Sequence, residues 1–232
     1  MKQKFVGVLA ATLWFGVLAP ARAQMGMDLF RKPSITKVFN PVVGQGSQYA
    51  MSSATTKGDQ SRIMEIGIVG KESVDGEEAY WMEFVHTEDK GQPLVGKTLL
   101  TKGSFRFQRM IMQMPGRPAM EMPYNPNDPH RAKMDESMND WHSVGTETIT
   151  VPAGTFACEH WKNDKTNGNI WTSDKVVPFG LVKQVDENGS MVLTKQLRDF
   201  PDRITGPVQK FDPQTLMQQM QEQHGQQPPI RP

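Results

Sequence analysis

Met110, Met112 and Met114, followed by Met120 and Met122, place five thioethers within 13 positions. A thioether is a soft, neutral donor, and repeated Met-x-Met spacing suits Cu(I). Alternation along an extended segment would set Met110, Met112 and Met114 on one face, roughly 7 Å apart in succession. His130 on the following loop would complete such a copper site, with His86 as a further nitrogen donor. The same residues fit two other roles. Methionine is an unbranched, polarisable filler of irregular cores, and a stripe of it also makes an adaptable wall for an apolar ligand. As a wall, the set comprises Phe105, Phe107, Met110, Met112, Met114, Met120 and Met122, and it would take a lipid or acyl chain. Met25-Gly26-Met27 is a second Met-x-Met pair.

Other constellations carry less chemistry. Cys158 is the single cysteine, so no internal disulfide can form. In FACEH it alternates with Phe156, which predicts a buried, inert thiol. His160 shares its face in an extended strand, but nothing nearby in sequence orients the imidazole as a nucleophile's base. The five histidines show no H-E-x-x-H spacing, which argues against a zinc hydrolase. No G-x-S-x-G occurs, which removes the usual hydrolase elbow. Glu77-Glu78 and Asp135-Glu136 are adjacent pairs that suit solvated turns. Gly44-Gln45-Gly46 lacks the downstream glycine and helix of a nucleotide loop. Trp81, Trp141, Trp161 and Trp171 are spread over predicted strands and suit packing. No catalytic group and no cofactor site is expected, and the chain reads as non-enzymatic.

The elements that must position these residues are strands. In EEAYWMEFVH, Tyr80, Met82 and Phe84 alternate with Trp81, Glu83 and Val85, after an Asp75-Gly76 hairpin turn. SRIMEIGIVG, VGKTLLTKG and SFRFQRMIMQM continue the pattern. Residues 115–140 change character, with Pro115, Pro118, Pro123 and Pro126 excluding a regular element over the first half. That stretch reads as a long insertion. Strands resume at Trp141, with turns at Ala153-Gly154, Asn167-Gly168 and Pro178-Phe179-Gly180. Residues 203–232 read as a tail: Asp212-Pro213 opens a short helix, and the Gln/Pro run after Gly225 reads as disordered.

Compartment is written at the N-terminus. Met1–Lys4 is basic, Phe5–Leu18 is apolar, and Ala21-Arg22-Ala23 supplies small residues before a cleavage point at Gln24. That is a secretory signal peptide over residues 1–23, too short to span a membrane. It predicts a periplasmic or secreted chain. Removing Lys2, Lys4 and Arg22 from 26 basic residues leaves 23 against 25 acidic ones. Such a balance gives no attraction for phosphates and argues against nucleic-acid binding. One domain over residues 24–202 fits the remaining length.

V-P-A-G-T-F-A-C at residues 151–158, then W-T-S-D-K-V-V-P-F-G-L-V-K at 171–183, resembles a block found in small bacterial envelope proteins. Those are similar in turn to the LolA-like superfamily of periplasmic lipoprotein carriers and lipid-binding lipoproteins. The resemblance covers Trp141–Phe200. It implies a mainly-β fold: a single curved antiparallel sheet, an unclosed half-barrel, with short helices over a concave apolar face that can hold an acyl chain. Stretch 115–140 is not part of that pattern. Alternation alone would also fit a β-sandwich. A hydrophobic small molecule or an envelope protein partner is the expected company.

Overall fold

The computed structural model of the chain describes residues 38–53, 62–87, 92–123 and 140–212. The signal peptide, His130 and the expected helix after Asp212 lie outside the described residues. β1 (Gln45–Ser53), β2 (Arg62–Val74), β3 (Glu77–Thr87), β4 (Leu94–Thr101), β5 (Phe107–Gln113) and β6 (Ala119–Met122) run outward as one meander. β7 (Trp141–Val151), β8 (Gly154–Asn163), β9 (Gly168–Thr172), β10 (Leu181–Asp186) and β11 (Gly189–Arg198) run inward as a second. Pairing of β1 with β11 joins the two meanders into a single open, curved sheet. This is the expected mainly-β half-barrel and not a sandwich. No α-helix occurs among the described residues, so none there is long and apolar enough to cross a membrane.

The turns follow local chemistry. Asp75 and Gly76 both take positive φ, 51° and 82°, as a two-residue hairpin turn requires. Asn167 adopts φ 49° before β9, a conformation asparagine tolerates better than most residues.

Alternation then sorts the side chains onto two faces. On the inner face, cross-strand partners form rows: Ile66, Phe84, Gly96, Met112 and Met120 in one, Ile68, Met82, Thr98, Met110 and Met122 in the next. Ile66, Phe84, Met112, Ile68, Met82, Met110 and Met122 of these rows belong to the main core, together with Tyr49 on β1 and with Phe156, Ile170, Phe179 and Leu193 from the far side of the β1–β11 seam. Phe39 shows how the sheet closes on itself. Its ring stacks on Phe179 at 5.1 Å and meets Phe105 edge-on at 5.1 Å. Phe105 precedes β5 and Phe179 precedes β10, so elements far apart in strand order meet over one face.

Gly96 is fixed by this packing. A Cβ there would fall inside the Phe84 ring, and a ring wedged in a dense core has nowhere to go. Gly96→Ala is expected to cost about 2–3 kcal/mol by overpacking. Adding Phe84→Leu should recover part of that loss in thermal unfolding; no recovery would mean that the ring is not the obstacle.

Stretch 115–140 holds a correction. The prolines do not exclude a regular element from its first half, because β6 fits in the four residues between Pro118 and Pro123. Pro115-Gly116 makes the turn, with Gly116 at φ 69° and the Arg117 N–H donating to Met114 O at 3.1 Å. Proline pre-sets the first central position of such a turn and glycine the second.

The residues after β11 form a strap over the outer face. Phe200 donates its N–H to Gly44 O and lays its ring on Gly46 and Gly67, where any Cβ would collide with it. Lys97 on β4 pairs with Asp202 at 2.6 Å. The Arg203 N–H donates to Glu83 at 3.0 Å, and its guanidinium reaches Glu83 at 3.2 Å and Glu65 at 2.5 Å. Ile204 then packs on Val85, Val95, Ile111 and Ala119. The strap ends as β12 (Val208–Lys210), which pairs in parallel with β6. Chain expected to be tail thus ties the seam of the sheet to its far edge. Among the named strands of the described residues, this last pair alone departs from the antiparallel pattern.

Candidate functional site

Two short strands position the thioethers. Met110 on β5 lies opposite Met122 on β6, and Met112 lies opposite Met120. Directly opposed side chains in an antiparallel pair have Cβ atoms about 4.5–5.5 Å apart. Four sulfurs are therefore gathered on one face, at the side of the half-barrel away from the seam. Met112 is buried, whereas Met110, Met120 and Met122 are only partly covered. The wall continues inward through Met82 and Phe84 to Met64 and Ile66, all buried.

Phe107 joins this face beside Leu100, after a bulge that shifts the register between Leu99 and Leu100. Phe105 takes φ 53° and packs against the same core. Met114 does not join the others, because it lies past the end of β5 and is 38% exposed. His86 sits on the inner face of β3, opposite both Met64 and Leu94. The wall is wider than the Met110–Met122 cluster suggested. Met51, Met64, Met82 and Met191 line the same core, and strand alternation was the signal for each.

Cys158 is buried, and its thiol donates weakly to Phe156 O at 3.6 Å. Burial, with the nearby Glu147 charge adding, pushes its pKa up to about 11. A thiol held protonated at neutral pH is a poor nucleophile. The expectation that nothing orients His160 needs correction. Its Nδ1 lies 2.9 Å from Glu147, its Nε2 lies 3.0 Å from Asn169 Oδ1, and its ring stacks on Trp171 at 4.5 Å. Trp171 also donates its indole N–H to Glu147, and Lys183 stands over its ring at 5.2 Å. These partners come from β7, β9 and β10, so pairing register rather than sequence proximity supplies them. Both ring nitrogens are engaged away from the thiol, which makes the cluster a packed polar ladder. Cys158 in the folded chain should accordingly react with iodoacetamide at least tenfold more slowly at pH 7.5 than in the denatured chain. Equal rates would show an accessible thiolate.

Among the described residues, no group of three His, Cys, Asp or Glu side chains is placed to hold a metal ion. Methionine sulfurs are thus the donors on which a metal reading depends.

No family description matches the chain, and no curated protein matches it. Solved structures do. The chain is similar to a protein described as exported, with a YmcC-like fold, from Bacteroides fragilis. That match has 16% identity and a TM-score of 0.40, covering 69% of this chain and 98% of the other. A protein described as a lipoprotein, from Parabacteroides distasonis, matches at 18% identity and TM-score 0.38, over 68% and 97% of the two chains. MucB matches at 11% identity and TM-score 0.38, over 78% of this chain and 60% of MucB.

Proposed function

We propose that this chain is a non-enzymatic protein of the bacterial envelope that holds a lipid or other acyl chain against its methionine wall. The observation that carries this is the gathering of Met110, Met112, Met120 and Met122 on the inner face of a curved sheet, three of them only partly covered, beside a buried apolar core. Flexible thioethers adapt to an alkyl chain without a fixed shape. Burial of each methylene contributes about 0.8 kcal/mol, so roughly ten carbons supply useful affinity before ordering costs. The leader-like Met1–Ala23 segment supports the periplasmic placement. The test is native mass spectrometry of the processed protein, purified from a bacterial periplasm without detergent or added metal. A bound mass of a few hundred daltons, released on denaturation as a lipid, is expected. Protein that is empty and takes up no fatty acid when offered one would overturn the reading and turn the search to protein partners.

Cu(I) is the second reading, and the same facing pairs favour it. Thioethers opposed across two strands lie close enough for one soft ion to bridge. Empty protein that binds Cu(I) stoichiometrically would decide for it.

A further inference from the structure

The half-barrel has an open edge inside its own sheet. β10 pairs with β11 only from Gly189 to Val192. Just beyond, a register shift against β1 leaves Thr194 bulged, and β11 continues from Leu193 to Arg198 after its last pair with β10. Leu193 O accepts the Ala153 N–H at 3.4 Å. From Thr194 to Arg198, among the described residues, β11 is paired with β1 on one side and makes no backbone hydrogen bond on the other. Proteins usually blunt or cover such edges, because unpaired N–H and C=O groups template another strand.

Space is left beside it. A depression of about 760 Å³ has Thr194–Asp199 along one side, with Val43, Pro152, Ala153 and Val177 as its walls. Strand geometry gives five residues a length of about 17 Å, enough for one short extended segment. The charge is also unspent. Lys195 and Arg198 are exposed and have no acidic partner among the described residues, while Asp199 is the single acid of the lining. Lysine and arginine residues of the outer face contrast with this, since Lys97, Arg109 and Arg203 each meet a carboxylate.

We propose that the Thr194–Arg198 edge is a strand-addition site for an extended, acidic segment of a partner protein. Main-chain hydrogen bonds to the open edge supply affinity, and alternate side chains supply selection. Lys195 and Arg198 are three positions apart and lie on opposite faces of β11, so the carboxylates on one side of the added strand meet one of the two cations. Apolar residues between them meet Val43, which is 48% exposed, and Val177. This site is separate from the methionine wall and stands or falls independently of it.

The test uses the processed full chain and two synthetic hexapeptides, one alternating Glu with Val and one alternating Lys with Val. Binding is read by fluorescence anisotropy, and the position by hydrogen exchange resolved to single amides. The Glu peptide should bind at least tenfold more tightly than the Lys peptide, weaken with added salt, and slow exchange between Thr194 and Arg198. Lys195→Glu with Arg198→Glu changes two exposed side chains and should leave the thermal midpoint nearly unchanged. It should reverse the peptide preference. Equal binding of both peptides, protection elsewhere, or no binding at millimolar peptide would overturn the proposal. So would an edge already protected without peptide. Protection that is independent of concentration would assign it to the chain's own termini, and protection that rises with concentration would assign it to a second copy.

Discussion

Arg203→Ala is expected to lower the unfolding free energy by about 3 kcal/mol, the lower end of what breaking one side of a buried ion pair costs. For a domain of this size that is a fall of roughly 6–12 °C in Tm. The reason lies beneath the strap. Glu83 is fully buried on the outer face of β3, and its carboxylate is answered by the Arg203 backbone N–H and guanidinium. Alanine keeps the N–H and removes the charge, which leaves an ion in a dry site with half its compensation. Glu65 loses its guanidinium partner as well.

The same variant should show a distinctive pH response. Burial holds the Glu83 carboxyl above the ordinary carboxylate range, while Arg203 pulls it down. Without Arg203 it rises further. A carboxyl that binds its proton more tightly when folded than when unfolded loses stability as pH rises from the unfolded value through the folded one. The deficit of Arg203→Ala against the parent should therefore be largest at pH 7 and shrink toward pH 4.5, where Glu83 takes up its proton. Glu83→Gln in the Arg203→Ala background should recover much of the loss at pH 7, because a neutral amide needs no counter-charge. Equal deficits at both pH values with no recovery would mean that Arg203 holds the strap by its packing and not by answering the Glu83 charge.

Strand alternation made much of the fold legible. Tyr80, Met82 and Phe84 do alternate with Trp81, Glu83 and Val85, the first set on the inner face and the second on the outer, and Asp75-Gly76 does turn the chain. What stayed hidden depends on long-range pairing. Alternation gave Glu83 a place in the strand but no partner, and that partner lies 120 positions downstream. No local pattern announces that residues 199–210 will cross the outer face, because what receives them is a set of absences, such as the missing side chain of Gly67 under Phe200. β6 was masked by its flanking prolines, whose effect is local and stops at the residues beside them. His160 looked unsupported for a similar reason, since Glu147 reaches it only through the pairing of β7 with β8, where it lies opposite Cys158, one step diagonally from His160. In the methionine cluster, alternation put Met110 and Met112 on one face, as their pairing with Met122 and Met120 has them. It over-extended to Met114, because nothing in the spacing shows that β5 ends at Gln113.

The four-fold variant Met110→Leu, Met112→Leu, Met120→Leu, Met122→Leu separates a wall from a ligand set more sharply than any single change. Leucine keeps volume and apolarity, and such swaps usually cost under about 1.5 kcal/mol each when the core repacks. If the thioethers act as a surface for an alkyl chain, the variant should keep its co-purified lipid, with affinity for an added fatty acid within about threefold of the parent. If they act as donors, Cu(I) binding at β5 and β6 should be lost, because both facing thioether pairs are gone. Peroxide gives the complementary experiment. Oxidation turns methionine into a polar sulfoxide, and the partly covered Met110, Met120 and Met122 should react ahead of buried Met82. Three polar sulfoxides on the wall should expel the lipid from the parent and leave the leucine variant loaded. Loss of lipid from the leucine variant before any oxidant is added would sink the wall reading. A parent that stays loaded after its methionines are oxidised would place the lipid elsewhere on the sheet.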